Sequence, residues 1–361
     1  PEGQAPMAEG TFTIARLMKQ AGYNTGLFGK WGLGAPNSES VPNTMGFDEF
    51  FGYNCQRQAH SYYPDHLWHN RDSVYFPENA NNAQQTYSQD LIHQHALDFI
   101  RANKDKPFFA MLTYTLPHAE LNLPHDSIYA QYDGLFEEIP YIGKFDHEQG
   151  GYNTSRKPYA SFAAMVSRLD WYVGSVLNEL RALGIDKNTL VIFTSDNGPH
   201  AEGGANPSFF KSSGPLRGMK RDVYEGGIRV PFIAWMPGTI KDGGRTEQIC
   251  AFWDIMPTLA ELTGQELTEP TDGISILPTI LGKDTEEQPQ PAYLYWAFNE
   301  GVKRQALRIG DWKLIRQVAD GVETAELYDL SQDIGETQDL AREKPNQVSL
   351  LTIKLDSIAG S

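Results

Sequence analysis

The chain has 361 residues, 40% of them hydrophobic, enough to bury the core of one large α/β domain with a smaller annex. Its 46 acidic and 30 basic side chains give a formal charge of -16, which repels nucleic acid and anionic membrane surfaces in bulk, so an anionic substrate has to be caught by a local cationic pocket. Two cysteines, Cys55 and Cys250, exclude a disulfide framework, and no apolar run approaches the ~20 residues that span a bilayer.

Residues Pro1 to Glu9 show no basic region followed by an apolar stretch, so no signal peptide is visible. From Thr11, the residues Ile14, Leu17, Met18 and Ala21 recur at helical spacing, and Gly22 stands where the helix should stop. A short apolar segment, Thr25 to Phe28, opens into Gly29-Lys30-Trp31-Gly32-Leu33-Gly34, a glycine loop that could present Lys30 to a ligand. Between Gly46 and Asn70, aromatic residues and the histidines His60, His66 and His69 follow no regular period, which reads as an irregular loop. Their spacing matches no helical ligand face, so contact with a carbohydrate is favoured over a second metal site.

A helix is expected from Asp90 to Ala102, then a strand from Pro107 to Tyr114 covered on both faces and ending in Leu116-Pro117-His118. After a long Gly-, Pro- and Tyr-rich loop, Val166, Leu169, Val173, Val176, Leu177 and Leu180 trace one face of a long helix. Two further apolar strands follow, Thr189 to Thr194, which runs into Ser195-Asp196-Asn197-Gly198, and Val230 to Trp235. Alternating strands and helices predict a largely parallel sheet with helices on both faces, and ligands collect beyond the carboxyl ends of such strands. Beyond Gly282, short pieces around Tyr293, Ala306, Trp312 and Glu326 predict a small antiparallel sheet closed by a final helix.

Asp196 and Asn197 offer a carboxylate and an amide oxygen, a pair that suits a hard cation such as Ca²⁺ or Mg²⁺, although Asp-Asn-Gly is also an ordinary turn. Lys30, His118 and Lys220 each sit in a loop framed by Gly or Pro; two ammonium groups and an imidazole could grip a tetrahedral oxyanion, and the bland alternative is solvated lysines and a structural histidine. Glu225 and Arg229, flanking a glycine turn, read as a structural ion pair rather than as catalysts.

Taken in order, Gly22-Tyr23 through Gly29-Lys30-Trp31, Leu116-Pro117-His118, Ser195-Asp196-Asn197-Gly198, Gly218 to Pro231, and the late segments 308–314 and 326–330 resemble the motifs of the type I, formylglycine-dependent sulfatases. The late segments resemble the C-terminal subdomain of arylsulfatases. The resemblance spans essentially the whole chain. It implies an alkaline-phosphatase-like α/β/α sandwich over residues 1–285 and a smaller subdomain, an antiparallel sheet with a terminal helix, over 286–361. It also implies hydrolysis of sulfate esters, on sulfated glycans or aryl sulfates, through a hydrated formylglycine close to a divalent cation, usually Ca²⁺. By the same resemblance Asp196 and Asn197 are metal ligands, Lys30 and Lys220 hold the sulfate, and His118 donates a proton to the leaving oxygen. His60 and His66 are expected to contact substrate, and export to the periplasm or outside the cell is a further implication.

Two departures bear on mechanism. Gly32 stands where many members have a histidine that helps eliminate sulfate, so another group, such as His60, has to substitute. The formylglycine precursor, a Cys or Ser followed by Pro and Arg, lies in the family upstream of the helix near Thr11, and no such motif is expected in this chain. The paired aspartates that complete the metal site are missing as well. The chain thus reads as a sulfatase without its nucleophile segment or its first, central strand, nearly inactive alone and with apolar faces and ladder groups left unpartnered. Two other readings compete: a phosphoester or phosphonate hydrolase of the same superfamily, and a non-catalytic member that binds sulfated glycans through the aromatic loop and Lys220.

Overall fold

The computed structural model describes residues 5–145, 151–283, 288–300 and 302–360. The expected boundary between residues 285 and 286 lies outside those described.

Helix α1 (Ile14–Gln20) starts at Thr13, whose side chain accepts the Arg16 N–H, and its chain turns away through Gly22 at φ +83°. It leads into β1 (Asn24–Lys30), buried along its middle five residues. Next come β2 (Glu49–Tyr53), β3 (His66–His69) and β4 (Asp72–Tyr75), then α2 (Ser88–Asn103) and β5 (Phe108–Thr113). These strands form one sheet in the order β4-β3-β2-β1-β5, with β1 parallel to both β2 and β5, and with β3 and β4 antiparallel. The sheet is therefore mixed, where a largely parallel one was expected.

The irregular loop expected from Gly46 to Asn70 in fact carries β2, β3 and the 3₁₀ turn Gln58–His60. Alternation is missing there because β2 is buried on both faces, and Phe50, Phe51, Tyr53 and Tyr62 are core residues at 2% exposure or less. Most of these aromatic rings fill the interior and are not available to a glycan.

Helix α3 (Pro158–Ala182) packs beside α2 on one face of the sheet, where Leu97, Ile100, Val176 and Leu180 enclose Phe108 and Leu112. On the other face α1 and the helix Ile255–Thr263 close over Phe109 through Leu17, Met18, Leu259 and Ala260. Helices thus cover both faces, as the strand–helix alternation requires.

Strands β6 (Val191–Thr194) and β7 (Phe232–Trp235) form a separate antiparallel pair. Among the described residues β5 pairs only with β1, and β6 only with β7. The two unpaired edges flank a cleft of about 2700 Å³, lined in part by Phe108, Met111, Val191 and Phe193. For this reason β5 and β6 are only partly buried, contrary to the expectation of strands covered on both faces.

The C-terminal sheet has the order β11-β10-β9-β8, antiparallel throughout, from β8 (Leu294–Phe298), β9 (Lys303–Ile309), β10 (Trp312–Ala319) and β11 (Val322–Asp329). The terminal helix Pro345–Ala359 buries Leu351 and Leu355 against Leu307, Leu314 and Leu327. The opposite face, with Ala306, Ile315 and Tyr328, packs on Val223 and Tyr224 and so braces the glycine turn of the larger unit.

Candidate active site

Three strands of the larger unit deliver side chains to one end of the cleft. Lys30 is the last residue of β1, His118 follows β5, and Asp196-Asn197 follow β6; all line the cleft. Lys220 comes from the loop before the glycine turn. That loop is fastened by main-chain bonds: Lys220 N–H donates to Pro199 O at 2.8 Å and Gly198 N–H to Gly227 O at 3.0 Å. Any Cβ at position 198 would stand 1.8 Å from Gly226 O, so only glycine allows this approach.

The His118 ring is held by its own loop. Nδ1 lies 2.7 Å from Ala119 O, an acceptor only, so the proton sits on Nδ1 and Nε2 carries a lone pair. Lys220 Nζ donates to that Nε2 at 2.8 Å. Burial, and after it the Lys220 ammonium, push the imidazole down to about 3. In this arrangement the transferable proton rests on Lys220, and His118 is the acceptor of the pair rather than its donor.

His60 stacks on His118 with ring centroids 5.5 Å apart, and Tyr152 covers both. Burial, with Lys30 and Lys220 adding to it, pushes His60 down to about 4. Its position is fixed by Glu120, a wholly buried residue whose N–H donates to His60 O at 3.3 Å and whose carboxylate accepts Tyr62 N–H at 3.0 Å. Tyr62 Oη completes the tie by donating to His118 O at 2.8 Å.

Burial also pulls the Lys30 ammonium down, opposed by Asp196 and reinforced by Lys220. Two cations that repel one another in a half-buried site constitute a receptor for an anion. Asn197 spends its Nδ2 on Gly198 O at 2.9 Å, which leaves its amide oxygen as the donor atom beside the Asp196 carboxylate. This all-oxygen pair fits a hard divalent cation.

His66 does not join the cluster. It opens β3, two strands away from β1, where Nδ1 meets Asp65 at 2.8 Å and the ring packs on Trp68 and Tyr75.

Glu202 was not anticipated. Its carboxylate stands 3.5 Å from Lys220 Nζ and 4.0 Å from His118 Nε2, and it also pairs with Arg221. Burial works to raise it, but His200, Arg221 and Lys220 outweigh burial and hold it well below the carboxylate range. His200, whose Nε2 donates to Pro117 O at 3.0 Å, ties the Asp196 turn to the His118 loop. The sequence signal was there, since His200 and Glu202 lie just past Asp196-Asn197-Gly198, but nothing in it pointed to Lys220.

Glu225 and Arg229 do form an ion pair, at 2.6 Å, and a third member is the buried Lys313 of β10, 2.9 Å from Glu225 and 2.8 Å from Glu336. A correction concerns the activation pattern: Ser213-Gly214-Pro215-Leu216-Arg217 has Ser, Pro and Arg at that spacing, although none was expected. Its arginine acts as a strut, donating to Tyr328 Oη at 2.8 Å and Glu336 O at 3.1 Å with its guanidinium over the Tyr224 ring.

The protonation state of His118 is directly testable. Ring ¹⁵N shifts should show the neutral Nδ1–H tautomer from pH 8 down to pH 5. Removing a neighbouring positive charge raises an imidazole pKa, so Lys220→Ala should shift the titration upward, while burial keeps it below the ordinary value of 6.5. A doubly protonated ring at pH 6 in the unsubstituted chain would contradict the assignment.

A family model described as Sulfatase matches residues 3–265. This chain belongs to the sulfatase family. A second model, N-sulphoglucosamine sulphohydrolase, C-terminal, matches residues 219–357, which takes in the C-terminal sheet. Among curated relatives, the sulfatase is 32% identical over 291 residues to N-acetylgalactosamine-6-sulfatase of Canis lupus familiaris, covering 76% of this chain and 50% of that protein. It therefore spans about half the length of that relative. Among solved structures, Ps i-CgsB in complex with k-i-k-neocarrahexaose superposes with a TM-score of 0.76 at 24% identity, over 99% of this chain and 77% of the other. A more distant one, phosphonate monoester hydrolase of Agrobacterium radiobacter, has a TM-score of 0.62 at 15% identity, over 98% of this sulfatase and 81% of that chain. These likenesses identify the fold as the alkaline-phosphatase-like α/β/α sandwich with a smaller antiparallel C-terminal subdomain.

Proposed function

We propose that this sulfatase hydrolyses sulfate esters of glycans and that its 361 residues hold the sulfate-binding part of the site, with the nucleophile contributed by a segment outside them. The observation that supports this most is the convergence of Lys30, His118 and Lys220 with Asp196 and Asn197 at the end of one cleft. A sulfate monoester is a monoanion with tetrahedral oxygens that two ammonium groups can bind. A phosphate monoester would bring one charge more, whereas the single Asp196-Asn197 pair suits a site with one metal ion.

In this reading Lys30 and Lys220 bind the sulfate oxygens and offset charge that develops as the ester bond breaks. Asp196 and Asn197 would hold Ca²⁺ or, less suitably, Mg²⁺, a cation whose chemistry is to draw charge from the sulfate oxygens. The leaving alkoxide takes its proton from the Lys220–His118 pair: directly from Nζ, or from Nε2 after Lys220 has passed the proton along their 2.8 Å hydrogen bond. Glu202 fixes the position of the Lys220 ammonium. His60, beside both lysines, substitutes for the histidine absent at Gly32.

No residue of the chain is assigned the formylglycine. The unpaired edges of β5 and β6 fit a further strand between them, which would carry apolar side chains into the cleft and a nucleophile to its end. Glycan substrates are favoured by the names of the relatives, N-acetylgalactosamine-6-sulfatase and a neocarrahexaose complex. Export from the cytoplasm belongs to the same proposal.

The test joins this chain to its upstream segment, co-expresses a formylglycine-generating enzyme, and assays an aryl sulfate and an aryl phosphate in parallel. Turnover of the sulfate in preference to the phosphate is expected, with none from the 361 residues alone. Preference for phosphate would favour a phosphoester or phosphonate hydrolase, and catalytic inertness with retained glycan binding would favour a binding protein. Formylglycine at Ser213 by mass spectrometry would place the nucleophile inside this chain and overturn that part.

A further inference from the structure

At the end of β2 remote from Lys30, three side chains meet that the chemistry above does not use. Glu49 opens β2, His69 closes β3, and His95 faces them from α2. One ligating atom from each lies within 4.8 Å of the other two. The strand period explains the convergence: Glu49 and Phe51 share a face of β2, and His69 is the cross-strand partner of Phe51.

Phe51 also fixes both imidazoles, stacking on His95 at 3.7 Å between centroids and meeting His69 edge-on at 5.9 Å. Among the described residues none of the three makes a side-chain hydrogen bond or ion pair, although all are partly buried. Three potential ligand groups without other side-chain partners, converging on one point, make an arrangement that a single cation can satisfy.

We propose that Glu49, His69 and His95 bind a divalent first-row transition metal, Zn²⁺ being the best match, and that the ion clips α2 to the β2–β3 pair of the sheet. Two imidazoles and a carboxylate select such a metal over Ca²⁺ or Mg²⁺, which prefer oxygen throughout. A tetrahedral ion with bonds of about 2.0–2.1 Å sets its ligands roughly 3.4 Å apart, so side-chain rotations of about an ångström close the site and leave the fourth position to water.

Titration of the tag-free chain with Co²⁺ as a spectroscopic probe tests this. One equivalent should give the intense visible absorption of a tetrahedral site, lost on adding Zn²⁺, and Zn²⁺ should raise Tm by on the order of a few degrees. The double variant His69→Gln/His95→Gln should lose both signals while keeping the metal-free Tm and circular dichroism, and Asp196→Asn should keep both. Signals that persist in the double variant, or disappear in Asp196→Asn, would assign the metal elsewhere and overturn the proposal. So would an absence of binding at micromolar metal.

Discussion

Lys220→Ala in the reconstituted enzyme is expected to lower kcat by about 10²–10³-fold, the cost of removing one preorganised donor from a developing negative charge. His118→Ala should fall in the range of about 10²–10⁴-fold, typical of a lost proton-transfer group. Because the two side chains share one hydrogen bond of 2.8 Å, their effects should not multiply. The double variant should be only slightly worse than the weaker single variant. Steady-state kinetics on an aryl sulfate decides this. An ester with a very acidic leaving phenol, which needs no protonation, should recover much of the His118 loss and little of the Lys220 loss. Independent, fully multiplying effects would break the assignment of a shared proton.

The second large effect concerns stability. Lys313 is 0% exposed in its side chain, and its partners Glu225 and Glu336 are at 3% and 0%. Burial works to raise Glu225, but Lys313 and Arg229 outweigh it and hold the carboxyl down. Lys313→Ala leaves the buried Glu336 without its cation and Glu225 with Arg229 alone, and is expected to cost about 3–5 kcal/mol in urea unfolding. Lys313→Met combined with Glu225→Gln and Glu336→Gln removes the charges together and should recover most of that loss. A loss below about 1 kcal/mol, the range of an exposed pair, would show that the network is solvated.

How much of this was legible in the sequence depends on distance along the chain. That Asp196, Asn197, His118 and Lys30 share one cleft could be anticipated because each lies at or just beyond the end of a strand, and strand ends of an α/β sheet converge. Strand β2 was not legible: Glu49-Phe50-Phe51-Gly52-Tyr53 is buried on both faces, so it shows neither alternation nor a turn to frame it. His66 lies apart from the cluster for the same reason, since its place follows from strand register and not from its aromatic neighbours. Lys313 looks like any surface lysine in an alternating strand, and its carboxylate partner Glu225 is 88 residues away. Nothing local marks a charge that will be buried by contact between two subdomains.

The fastening of the Lys220 loop has one more consequence. It relies on main-chain carbonyl and N–H groups, which every residue type but proline supplies in full, so replacement of the side chain at 199, or at 220 by anything other than proline, leaves the loop where it is. The charge presented to a ligand at 220 can thus be altered without moving the backbone that places it. Gly198, which admits no substituent, is the fixed point of that fastening.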